Sequence, residues 1–124
     1  MTPQDHREAA LHALYEADQR REAVPTLGGL SKRSAAIVSG VWGSRESLDV
    51  AIGEASTGWR VERMPPVDRN VLRIALWELR SRPEVPLPVV IAEAVRLVKT
   101  YSTARSGAFV NGVLSKLAAE RDRE

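Results

Sequence analysis

The chain has 124 residues, enough for one domain spanning 1–124 with a real core, and it has no cysteine, which excludes disulfides and thiolate metal sites and suits a reducing cytoplasm. Its formal charge is only +2, so polyanion binding would need local clustering; of 18 basic residues only Lys32, Lys99 and Lys116 are lysines, which fits either a GC-rich genome or a use for the planar guanidinium fork. No apolar run approaches the ~20 residues that span a bilayer, and MTPQDHREAA is too polar for a signal peptide, so a cytoplasmic location is expected.

Apolar spacing predicts helix almost throughout. Thr2 can cap the first segment, Pro3 suits its first position, and Asp5 places negative charge in the first turn. Ala10, Ala13, Leu14 and Ala17 keep a helical period, with Leu11 and Tyr15 one step round. VPTLGGL, from Val24 to Leu30, reads as the loop that ends this helix. Ser31 starts the next, where Ile37, Val41, Leu48, Ile52 and Ala55 hold one stripe through Gly40 and Gly43. That continuity predicts one long helix or two nearly collinear ones, with a kink at the glycines. Pro65 and Pro66 restart the chain into a helix from about Val67 to Ser81, and after PEVPLP a further helix opens at Pro88 and runs to about Tyr101.

FVNGVL, Phe109 to Leu114, carries the Asn-Gly signature of a hairpin turn between apolar pairs. Periodicity overrides it. Val110, Val113, Leu114 and Leu117 fall at i, i+3, i+4 and i+7, and Ser106 is a cap candidate. The predicted fold is an all-α bundle of about six or seven helices.

On that last helix Arg105, Ala108, Gly112, Lys116 and Arg123 share a flank beside the apolar stripe. Small residues there floor a basic strip that a phosphate backbone could approach closely, or the glycine admits a neighbouring helix. In the helix from Val67, Glu78 lies on an arc with Val67, Val71, Ile74 and Ala75. It is either in an internal salt bridge or presented to a partner. Arg69, Arg73 and Arg80 lie on the other side, where a solvated face is the simplest expectation. His6 and His12 face different sides of one helix, and neither GxGxxG nor a Walker pattern forms, so nothing in the sequence supports an enzyme. The tryptophans Trp42, Trp59 and Trp77 leave monomer and homodimer both open.

Four stretches carry a resemblance: REAALHALYEAD at Arg7 to Asp18, VDRNVLRIALWEL at Val67 to Leu79, IAEAVRLVKTYS at Ile91 to Ser102, and SGAFVNGVL at Ser106 to Leu114. In this order and spacing they resemble the NusB family of bacterial transcription antitermination proteins. The resemblance implies an all-helical protein without cofactor that pairs with ribosomal protein NusE and binds single-stranded boxA-type RNA. It also implies joining the RNA polymerase antitermination complex, in support of ribosomal RNA synthesis. By position, Tyr15 and Glu78 match partner-binding positions, and His6, Arg7, Arg105 and Lys116 lie in regions that contact RNA. Family members often carry several arginines before the first helix, and here that arm is only Asp5, His6 and Arg7. Fewer cations predict weaker RNA binding by the free chain, with Lys32 and Arg33 as possible compensation. A protein-only helical adaptor and an accessory domain of an RNA-modifying enzyme are the rival expectations.

Overall fold

The computed structural model describes residues 2–22 and 24–122, and every regular element among them is helical. The order is α1 (Pro3–Arg20), α2 (Lys32–Gly43), α3 (Arg45–Ala55), a 3-10 turn (Val61–Arg63), α4 (Pro66–Ser81), α5 (Leu87–Tyr101) and α6 (Ala104–Asp122). Arg123 of the expected basic flank lies outside the described residues.

The helix starts follow local chemistry. Thr2 and Asp5 form a reciprocal capping box, the Asp5 amide donating to Thr2 Oγ1 at 3.1 Å and the Thr2 amide to Asp5 Oδ2 at 2.8 Å. The Thr2 amide first, and then the Thr2 hydroxyl donating to the same Oδ2 at 2.9 Å, hold the exposed Asp5 carboxyl below its ordinary value of 3.8. Ser31 caps α2 by accepting from the Ser34 amide at 3.0 Å. The helix breaks at Ser44, whose amide turns back to the carbonyls of Gly40 and Val41, while the stripe Ile37, Val41, Leu48, Ile52 and Ala55 stays buried across the break. At the last helix the expected cap moves: Thr103, not Ser106, accepts from the Ser106 amide at 3.1 Å, because α6 begins at Ala104. Ser106 instead lies inside the first turn and donates to Asp68 Oδ2 at 2.7 Å.

α4 is the axis of the molecule and packs against the other five helices. Its Val71, Leu72, Ile74, Ala75, Leu76 and Leu79 are all buried, and each large one contributes on the order of 1.5–3 kcal/mol. Val110, Val113, Leu114 and Leu117 of α6 are also buried, as their helical spacing predicts. Because α4 is enclosed, its polar residues are enclosed too, which corrects the expectation of a solvated arginine face. Arg73 is buried and bidentate to Asp49 at 2.7 Å through both Nε and Nη2. Arg69 pairs with Asp18 at 2.7 Å, and Asn70 Nδ2 donates to the same carboxylate at 2.9 Å. Only Arg80 of the three is exposed. Burying these guanidiniums without such partners would carry a steep desolvation cost.

Candidate nucleic-acid and partner interfaces

The first group of residues sits where α1 and α2 begin. His6 Nδ1 lies 2.8 Å from Ser31 Oγ, and Ser34 Oγ donates to the His6 carbonyl at 3.0 Å. These bonds bring two helix starts together across 25 residues of chain. Lys32 and Arg33 follow directly and are exposed, so His6, Lys32 and Arg33 share one edge.

Arg7 is not on that edge. One turn before Ala10 and Leu11, it falls on the buried face of α1, only 6% exposed. Its Nε is 3.0 Å from each carboxylate oxygen of Glu78, and Nη1 is 3.6 Å from Glu93. Gln4 Nε2 donates to Glu93 at 3.2 Å. The cluster joins α1, α4 and α5 away from water. Of the two roles open to Glu78, the structure shows the internal ion pair, with the residue 4% exposed. Arg7, expected at an RNA-contacting arm, is thereby committed to the interior, because the helix starts before it and rotates it inward.

The network continues outward. Arg96 meets Glu93 at 3.2 Å and Glu8 at 3.7 Å. Partial burial opposes the Arg96 charge, but those carboxylates outweigh it and raise its pKa. The Tyr101 hydroxyl donates to Glu8 Oε1 at 2.8 Å, and that bond raises the phenol above its ordinary value of 10.0. His12 stands edge-on to Tyr101 with ring centres 5.0 Å apart. Together with Leu11, Tyr15 and Val67 these rings line a hollow of about 230 Å³. Tyr15 and Tyr101 are each 39% exposed. Tyr15 thus belongs to a surface aromatic patch, whereas Glu78 lies inside the bundle and is not in its lining. Spacing within single helices could not reveal His12 and Tyr101 as members, since α1 and α5 meet only in the folded chain.

The third group lies along α6. Arg105, Ala108, Gly112 and Lys116 are all exposed. A Cβ placed on Gly112 would meet nothing within 4 Å, so no helix of this chain occupies the space that the glycine leaves. Phe109, half-buried on the same side, meets the ring of Trp59 at 4.8 Å between centres. An aromatic wall therefore borders the basic strip. Trp59 reaches it from the loop after α3, a placement that no motif in the sequence signals.

The comparisons bear on this arrangement. The model of the NusB family matches residues 4–119. A transcription antitermination protein NusB from Sorangium cellulosum is 45% identical, the match covering 94% of this chain and 95% of that one. One from Anaeromyxobacter dehalogenans is 44% identical over 91% of this chain and 87% of its own. The T. maritima NusB structure superposes with a TM-score of 0.86 at 30% identity, covering 97% of this chain and 92% of that one. A structure of antitermination factors NusB and NusE in complex with dsRNA matches with a TM-score of 0.76 at 27% identity, covering 94% of this chain and 96% of that one. With the helical order, the buried α4 axis and an end-to-end match all agreeing, the chain belongs to the NusB family.

Proposed function

We propose that this chain is a transcription antitermination factor. It binds boxA-type single-stranded RNA together with ribosomal protein NusE and joins the RNA polymerase antitermination complex in the cytoplasm, where it supports ribosomal RNA transcription. The observation that carries this reading is the α6 strip: exposed Arg105 and Lys116 flank a glycine open to solvent, beside the Phe109 and Trp59 rings. Guanidinium and ammonium groups take phosphates, the missing Cβ permits close backbone approach, and unpaired bases stack on aromatic faces. Family membership and a family member's structure with NusE and dsRNA support the coarser part of this assignment, binding to NusE and to RNA.

Within this reading His6, Lys32 and Arg33 form a second, weaker RNA contact at the helix starts. Tyr15, with Tyr101 and His12, forms the apolar part of the NusE surface. Arg7 and Glu78 act indirectly, fixing α1 against α4 and α5 so that both surfaces keep their relative placement. The role is assembly without covalent chemistry. Two modest contacts sharing one RNA raise each other's effective concentration.

The test is binding of boxA RNA and a scrambled RNA of equal length at moderate salt, with and without NusE. Preference for boxA that grows with NusE is expected. Equal affinity of the complex for both RNAs would end the antitermination reading and leave the protein-only adaptor.

A further inference from the structure

We propose that the cleft between α3 and the C-terminal end of α1 docks a cationic protein segment bearing an apolar anchor, at a surface that borders the RNA strip at Trp59 and is separate from the Tyr15 patch. The cleft has a volume of about 1090 Å³ and shares no lining residue with the Tyr15 hollow. It does not rest on the RNA assignment.

Two exposed large hydrophobic residues line it, Val50 at 60% and Trp59 at 41% exposure. Exposed apolar side chains gathered in one concavity mark interaction sites more than scattered ones do. On α3, Glu46, Val50 and Glu54 follow at i, i+4 and i+8, so they form one outward stripe that reads acid, apolar, acid. Neither of those carboxylates has an ion-pair or hydrogen-bond partner among the described residues.

Most cations of the cleft are paired with acids of its own lining. Arg69 and Arg73 are held by Asp18 and Asp49, and Arg60 faces Glu62 at 3.7 Å. Arg45, the only base of α3, turns away to lie 3.8 Å over the Trp42 ring. Among the described residues of the lining, Arg21 is the cation left to oppose the stripe. The unneutralised charge of the α3 wall is therefore negative in a chain whose net charge is positive. Phosphates are repelled by such a wall, while Lys or Arg placed either side of an aliphatic or aromatic residue complements it. Because Trp59 lines the cleft and also meets Phe109 of α6, the docked segment would meet the RNA strip at that ring and leave Arg105, Gly112 and Lys116, which are not in the cleft lining, to RNA.

The test uses the full chain, labelled with ¹⁵N, and a short helical peptide with Lys, Leu and Lys at i, i+4 and i+8. Shifts are expected at the Val50 and Gly53 amides and at the Trp59 indole. Replacing both peptide lysines by Glu should weaken binding about tenfold or more. The double substitution Glu46→Lys and Glu54→Lys, both at exposed positions, should reverse the preference between the peptides. BoxA RNA should leave Val50 and Gly53 unmoved. The proposal is overturned if charge reversal on α3 leaves peptide affinity unchanged, or if RNA itself shifts Val50 and Gly53. It is equally overturned if those signals move with protein concentration and Val50→Asp stops the movement, since the occupant is then a second copy.

Discussion

At Arg7 one guanidinium faces two carboxylates, Glu78 at 3.0 Å and Glu93 at 3.6 Å, and all three residues are buried. Arg7→Ala leaves both acids without a counter-charge and is expected to cost about 3–5 kcal/mol, read as a lower urea midpoint at unchanged slope. Glu78→Lys would set a second cation against Arg7, so lost partner binding in that variant reports a damaged fold; Glu78→Gln keeps the shape and is the cleaner probe. Gly112 behaves in the opposite way. It costs helix α6 conformational entropy, and an added Cβ meets open space. Gly112→Ala is expected to stabilise the fold by about 0.5–1 kcal/mol while weakening RNA binding. A rise in stability with RNA affinity unchanged would remove Gly112 from the strip. Asp5 gives a pH dependence of definite sign. Its folded-state pKa is depressed by the Thr2 bonds, so its contribution is present above the ordinary value of 3.8 and is lost as pH falls through the lower folded-state value. Amide exchange in the first turn of α1 should speed up over that acid range, and Asp5→Asn should flatten the change.

Between helices, the close approach of α2 and α4 depends on Gly40. A Cβ there would overlap the indole of Trp77, a bulky ring, so either the ring or the helices must shift. Gly40→Ala is expected to destabilise by about 1–3 kcal/mol, measured as a lower midpoint, in contrast to Gly112→Ala. The two glycines look alike in the sequence, each interrupting an apolar helix. What distinguishes them is whether another helix lies opposite, a property of the tertiary structure. The same distinction explains what was legible at the level of elements. Thr2, Ser31, Pro66 and Pro88 mark helix starts through chemistry local to a few residues, and the α6 stripe follows from period alone. Periodicity ranks arginine as an outward residue and so misses Arg73 on the surrounded α4, while the resemblance assigns Arg7 to an RNA-contacting arm that in this chain is already helix, where α1 turns it onto α4. The acid partners that make this burial tolerable, Asp49 and Glu78, stand 24 and 71 residues away. Trp59 was unreadable as a neighbour of Phe109 for the same reason.

Over the whole molecule, the basic groups divide into those spent on the fold and those left for a ligand. Arg7, Arg69 and Arg73 are engaged by buried or half-buried carboxylates. Arg105, Lys116, Lys32 and Arg33 are exposed. Of these two sets, the second is the one placed to release counterions from RNA. The salt dependence of boxA binding tests this division directly. For single strands the slope of log K against log salt is about −0.7 per phosphate neutralised. Arg105→Gln and Lys116→Gln are each expected to flatten that slope by about 0.7–1 and to weaken binding to boxA and scrambled RNA alike. Arg69→Gln, which removes an equal charge from the chain's total, should leave the slope unchanged and lower stability instead. If all three substitutions flatten the slope equally, RNA responds to the overall charge of the chain and the α6 strip loses its assignment. If only the first two do, the contact is local, and adding NusE should raise affinity without altering the share of the slope that Arg105 and Lys116 supply.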